Sequence, residues 1–316
     1  MANILILIDL PNEIKARLEA LLPAGSFTYA ADRQPTGAEV AAAQVIVGSL
    51  PAGMLGQATN LKWMQIPFAG TDSFHREGTK WPAGAVLTCA SGAYGTTVSE
   101  HMAAMTLALM KKLSLYRDNQ NQSTWRGEGP AVTVHGSRTC VIGLGDIGGA
   151  YARIMQAMGS RVTGVRRASA GKPDYVERLA YARELPEVVR DADIIALALP
   201  VTRETTRILS RELIFSLKPG AIVVNAGRGS AIDTEALCDA LEQGRLLAGL
   251  DVTDPEPLPP EHRLWRMPGA IITPHVSGGL VLEVTKNRFY DILLDNFAAF
   301  VSDGPMRGVV DFERGY

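Results

Sequence analysis

Cysteine is scarce in this chain. Cys89, Cys140 and Cys238 stand far apart, with neither the density of a disulfide scaffold nor the paired spacing of a zinc site, so no metal is expected. That usage suits a reducing compartment and a cytoplasmic location. An excess of one charge sign is also missing, because 31 basic and 33 acidic residues leave a formal net charge of −2. With no basic stripe to follow a phosphate backbone, nucleic acid is not an expected partner. Nor does any apolar run approach the roughly 20 residues that cross a bilayer, so no membrane partner is expected. The N-terminus reads as a strand rather than a signal peptide. Solenoid repeats and low-complexity tracts are absent too. What is left is a globular chain of 316 residues, 47% hydrophobic and 20% charged, long enough for two domains with their own cores.

Short apolar runs alternate with helical spacing from the start. Residues 3–8 (NILILI) are of strand type, and Ile14, Leu18, Leu21 and Leu22 give residues 12–22 a helical face. A helix at 38–43 and strands at 45–48, 61–66 and 86–90 follow. This alternation predicts a parallel sheet with helices on its faces. After the strand at 61–66 comes Pro67-Phe68-Ala69-Gly70-Thr71-Asp72, at the strand end where open α/β sheets place ligands. Gly70 would let backbone N–H groups converge on a small anion. Residues 98–113 (VSEHMAAMTLALMKKL) are apolar nearly all round, which predicts a buried helix. Its His101 is better read as a satisfied structural histidine than as a functional one. Residues 116–136, with Trp125, read as a polar loop or short helix.

Residues 139–167 (TCVIGLGDIGGAYARIMQAMGSRVTGVRR) organise the rest. A short strand meets Gly143, Gly145 and Gly148 in the pattern G-x-G-x-x-G, then a helix, then a strand at 161–165. The first glycine allows a tight bend, the second lets the backbone approach a pyrophosphate, and the third lets helix and strand pack closely. Asp146 and Ile147 lie inside this turn. A dinucleotide site expects an acid about 20 residues further on, to bind the adenosine ribose. Arg166 holds that place, followed by Arg167, Ala168 and Ser169. Two guanidiniums and a hydroxyl attract a 2′-phosphate that an acid would repel, so NADP(H) is favoured over NAD(H). The competing reading is two solvated arginines with a ribose acid elsewhere.

Beyond Arg167 the alternation continues. A strand at 192–199 ends at Pro200, with Thr202 and Thr205 placed to wall a nicotinamide ribose. Residues 221–225 lead into Ala226-Gly227-Arg228-Gly229, and residues 246–252 carry Asp251 at their end. Ile271 and Ile272 precede Thr273-Pro274-His275 and Ser277-Gly278, and an amphipathic helix at 282–300 closes the chain. Pro200, Thr205, Ala226, Arg228, Asp251, His275 and Gly278 are all candidates for cofactor contact. Arg228, Glu256 and His275 stand on loops after successive strands, which in a parallel sheet open on one edge. That trio suits hydride transfer to a carbon bearing oxygen. Histidine exists in both protonation states near neutral pH and can donate a proton. Glu256 would favour its imidazolium and fix the ring. Arg228 offers a planar fork for a carboxylate and the adjacent carbonyl, as in a 2-keto acid. Singly, each has a plainer reading: a solvated glutamate among prolines, an arginine at a helix start, a structural histidine.

The stretches VIGLGDIGG, AIVVNAGRGSAIDTEAL, GLDVTDPEPLPPEHRLW, IITPHVSG and VSEHMAAMTLAL together resemble the D-isomer-specific 2-hydroxyacid dehydrogenases over almost the whole chain. The resemblance implies two doubly wound parallel-sheet domains. A Rossmann cofactor domain, residues 99–284, would be inserted into a flavodoxin-like substrate domain made of residues 1–98 and 285–316. It also implies His275 as acid/base, Glu256 as its partner, Arg228 as substrate clamp, backbone amides around Phe68, Ala69 and Gly70 as carboxylate ligands, and a homodimer. The arginines after the second cofactor-domain strand resemble those of the NADP-preferring glyoxylate and hydroxypyruvate reductases. Two departures stand out: Phe68 is bulky where small residues are common, and no added regulatory domain follows, which argues against an effector-controlled phosphoglycerate dehydrogenase. The alternative from another class is a non-catalytic NADP(H)-sensing module akin to corepressors of this fold.

Overall fold

A computed structural model describes residues 2–50, 52–75, 79–167 and 171–315. The chain divides into two compact units, residues 1–94 with 279–316, and residues 95–278. The expected boundaries lay a few residues further along. The difference has a local cause: the helix Gly95–Met110 starts at Gly95 and belongs whole to the second unit.

The first unit holds five parallel strands in the order β2-β1-β3-β4-β5. They are β1 (Asn3–Ile6), β2 (Ser26–Tyr29), β3 (Val45–Val47), β4 (Trp63–Gln65) and β5 (Val86–Thr88). Successive side chains of a strand face opposite ways. Ile4 and Ile6 therefore join Val45, Val47 and Trp63 in one core, while Leu5 joins Ile46, Met64 and Leu87 in the other. A sheet covered on both faces explains why NILILI is apolar without alternation. The helix Glu283–Ser302 completes the first of these cores with Phe289, Leu293 and Phe297.

The second unit holds seven parallel strands in the order β12-β11-β10-β9-β6-β7-β8. They are β6 (Arg138–Ile142), β7 (Arg161–Arg166), β8 (Arg178–Tyr181), β9 (Ile194–Leu197), β10 (Ala221–Asn225), β11 (Leu246–Leu250) and β12 (Ala270–Ile272). The strand order reverses at β6, which has β7 on one side and β9 on the other, so β6 lies at a topological switch point. One face packs Ile142, Ile195, Leu197, Val223 and Leu250 with the helix Thr234–Glu242. On the other, the helix Gly95–Met110 lies against Gly249 of β11 and joins the helix Asp146–Ala157 through a Thr106–Tyr151 hydroxyl contact of 2.8 Å.

Several elements differ from expectation. The helix expected at 98–113 starts earlier and stops at Met110, because Lys112 adopts a left-handed backbone and a separate helix, Leu113–Asn121, begins. The glycine-turn helix starts at Asp146, so Asp146 and Ile147, expected inside the turn, are its first residues. Strands β2 and β8 and the helices Leu185–Arg190 and Arg211–Ser216 were not anticipated. Among the described residues, no helix is long and apolar enough to cross a membrane.

Candidate active site

The glycine turn sits between β6 and the helix Asp146–Ala157. Gly143 has φ +95°, a left-handed value that residues with a Cβ rarely adopt. A Cβ on Gly148 would fall 1.8 Å from the Gly143 carbonyl oxygen, so only glycine lets the helix approach the strand. Gly145 differs: it caps the helix, and a Cβ built there meets nothing within 4 Å. Open space therefore faces the first-turn N–H groups, which have no partners within the helix and carry the positive end of its dipole. That cradle fits a pyrophosphate. The Asp146 carboxylate is turned toward Gly95.

At the end of β7, the Arg166 guanidinium folds back to donate to the Leu144 carbonyl inside the glycine turn, at 3.3 Å. Arg167 is more exposed and pairs with Glu204 at 3.4 Å. Ser169, the third candidate for a 2′-phosphate, lies outside the described residues. Past β9, the Thr205 hydroxyl donates to the Pro200 carbonyl at 2.7 Å and accepts from the Thr202 amide, which closes residues 200–205 into a compact loop. Ala226 is buried just past β10, and Gly278 is half-buried in the loop beyond β12.

Three loops are pressed together along the C-terminal edge of β9, β10 and β11. A Cβ on Gly227 would meet the Leu199 backbone at 2.6 Å, and one on Gly229 would meet the Thr253 carbonyl at 2.0 Å. Asn225, fully buried at the end of β10, fixes the turn between them: its side chain accepts from Gly227 N–H at 3.0 Å and donates to the Arg228 carbonyl at 2.8 Å. Arg228 is thereby held on the edge, with its guanidinium bonded to the Gly227 carbonyl at 2.8 Å. Glu256 extends from the neighbouring loop and accepts from Thr253 N–H.

The geometry joins Glu256 to His275, whose Nδ1 lies 2.6 Å from Oε1 of the carboxylate. With that nitrogen engaged, Nε2 is the one left for proton exchange. Both side chains remain nearly half exposed, at 47% and 40%. His275 adopts φ +54°, and its own N–H donates to the Asp251 carbonyl at 2.8 Å.

Asp251, a candidate for cofactor contact, is 1% exposed, and its carboxylate turns into the loop that follows β12. It accepts from the Thr273 hydroxyl at 2.6 Å, Val276 N–H at 2.9 Å, and both N–H and hydroxyl of Ser277. Burial alone pushes its carboxyl up; the donors from Ser277, Thr273 and Val276 outweigh that and hold it below the usual range. Asn225, Thr253 and Thr273 were not singled out from sequence. The one signal available for Asn225 was a polar residue ending an otherwise apolar strand.

In the first unit, the loop after β4 is fixed by its carbonyls. Ala90 N–H donates to Phe68 at 3.0 Å and the Tyr94 hydroxyl to Pro67 at 2.6 Å. Burial pushes the Tyr94 phenol up to about 12, so it stays a donor. Among the described residues, the amide N–H groups of Phe68, Ala69 and Gly70 have no hydrogen-bond acceptor.

A doubly wound sheet with a pyrophosphate cradle, and a histidine–carboxylate pair on the same edge as an arginine, define a nicotinamide-dependent dehydrogenase. Residues 103–277 match the family model described as the NAD-binding domain of the D-isomer specific 2-hydroxyacid dehydrogenases. The chain belongs to that family. It is 30% identical over 275 residues to a glyoxylate/hydroxypyruvate reductase A of Serratia proteamaculans, covering 84% of this chain and 85% of the relative. A family protein from Aeromonas salmonicida superposes with a TM-score of 0.86 at 30% identity, covering 98% of this chain and 99% of that one. An NADPH-dependent glyoxylate/hydroxypyruvate reductase from Sinorhizobium meliloti, solved with NADP and sulfate, shares the fold, with a TM-score of 0.82 at 24% identity and full coverage of both chains. The chain is therefore an oxidoreductase interconverting 2-keto and 2-hydroxy acids, which sets aside the non-catalytic alternative.

Proposed function

We propose that the protein reduces a small 2-keto acid of the glyoxylate or hydroxypyruvate kind to the D-2-hydroxy acid, using NADPH in preference to NADH. The observation that carries this reading is the 2.6 Å Glu256–His275 pair, which orients Nε2 as proton donor on the edge that also bears Arg228. When bound, the nicotinamide supplies the hydride. The chain's own residues do the rest. Arg228 binds the carboxylate and polarises the adjacent carbonyl, stabilising the negative charge that grows on its oxygen. His275 delivers the proton to that oxygen, and Glu256 holds its ring in place through Nδ1. The amide N–H groups of Phe68, Ala69 and Gly70, without an acceptor among the described residues, are available to a carboxylate.

Cofactor preference rests on Arg166 and Arg167, which stand where an acid would bind a ribose hydroxyl; Arg166 lies beside the pyrophosphate turn. The scattered buried cysteines accord with a cytoplasmic enzyme, and the family resemblance with a homodimer. The test is loss of nicotinamide absorbance with glyoxylate, hydroxypyruvate and larger keto acids, each with NADPH and NADH. Turnover of the small acids with NADPH is the expected result; oxidation of neither cofactor by any keto acid between mildly acidic and neutral pH would overturn it.

A further inference from the structure

His275 holds a left-handed backbone, a conformation that is unfavourable for residues with a Cβ and persists only where the surroundings enforce it. The enforcement comes from Asp251, which gathers Val276 N–H, Ser277 N–H and the Ser277 hydroxyl just beyond it and the Thr273 hydroxyl just before it. The chain of contacts runs one step further. His101, on the helix Gly95–Met110, places Nε2 at 2.9 Å from the Thr273 hydroxyl oxygen and 3.8 Å from Asp251 Oδ1.

A threonine hydroxyl has one proton to give. At 2.6 Å from the Asp251 carboxylate, that proton goes to Asp251. Thr273 must then accept from His101, so the His101 proton sits on Nε2. The imidazole is thus fixed in one tautomer by groups on two separate loop ends, and it ties the loop bearing His275 to a buried helix.

We infer that His101 and Thr273 are positioning residues for His275, setting how accurately its Nε2 is presented to the reacting oxygen. This deepens the reading above and rests on His275 being the proton donor. A donor displaced by a fraction of an ångström loses rate while binding is spared.

The test compares His101→Leu, His101→Gln, Thr273→Val and Thr273→Ser in the full chain. His101→Leu and Thr273→Val should lower kcat about tenfold, with the KM for keto acid and the NADPH Kd within about twofold. His101→Gln, whose amide can donate to the same hydroxyl, and Thr273→Ser should recover most of that loss. Amide exchange at Val276 and Ser277 should quicken in the two disabling variants, and ¹⁵N shifts of His101 in the wild type should report Nε2–H. Wild-type kcat in His101→Leu, no rescue by His101→Gln, or an Nδ1–H tautomer would each overturn the inference. The exchange and ¹⁵N measurements need no turnover, so they decide the anchoring even if the proposed reaction is wrong.

Discussion

Each unit has a first strand at a topological switch point, followed at once by a helix, yet only one of the two turns is built for phosphate. After β1 the chain passes through Leu7-Ile8-Asp9-Leu10-Pro11 into the helix Asn12–Leu21. Asp9 stands there almost fully exposed, 4.0 Å from Lys15, and puts a negative charge beside the helix start. After β6 the glycine turn leads into the helix Asp146–Ala157 with an open cap at Gly145, and the acid of its first turn, Asp146, is turned toward Gly95. Both turns connect a strand to a helix beside a similar parallel sheet; what separates them is side-chain volume and charge at a handful of positions. Topology offers the location, and residue chemistry decides whether a ligand can use it.

The largest effect belongs to His275: if the second unit carries the proton chemistry, His275→Ala should cut turnover about 10²- to 10⁴-fold while NADPH binding, followed by fluorescence, changes little. Next is Gly148→Ala. Alanine favours a helix over glycine by about 1 kcal/mol, but its Cβ would sit 1.8 Å from the Gly143 carbonyl. The clash should win, with a stability loss of about 3 kcal/mol or more in denaturant unfolding and a parallel loss of NADP⁺ binding. Replacing Arg166 and Arg167 together by alanine should lower the NADPH-to-NADH preference roughly 10- to 100-fold in kcat/KM, as charge-assisted bonds of about 1.5 kcal/mol each are lost. Equal loss with both cofactors would mean these are surface charges only. Gly53 of the first unit is the counterpart with the smallest effect. It lies in the short helix Ala52–Leu55 with nothing within 4 Å of a built Cβ, so Gly53→Ala should leave activity alone and raise stability by at most about 1 kcal/mol.

The parts of this molecule that rest on local pattern are legible in its sequence. The glycine turn, the runs NILILI and AIVVN, and the trio Arg228, Glu256 and His275 could be placed because strand ends and helix starts are encoded within a few residues. Strands β2 and β8 were missed because SFTY and RLAY occupy or adjoin sheet edges and carry no continuous apolar run. The helix break at Lys112 was hidden as well, since the apolar residues continue to Leu113 while the backbone does not. Asp251 shows the deeper limit. Its place at a strand end was readable, but its satisfaction by Thr273, Val276 and Ser277 depends on a loop returning from beyond β12. His101 shows the same limit from the other side, for the structural reading was right about its hydrogen bond and silent about what that bond holds.

The way the first unit's core is assembled bears on how the chain folds as it is made. Phe297, on the last helix, packs its ring against Phe27 and Trp63, and Phe289 lies in the same cluster as Ile4 and Leu18. Those partners are synthesised before residues 95–278, and the last helix after them. An unfolded intervening stretch would add loop-closure entropy to that pairing, whereas a folded one removes much of its freedom. The second unit, complete once Gly278 has emerged, is therefore expected to fold first, leaving β1 to β5 with an uncovered face until the final helix arrives.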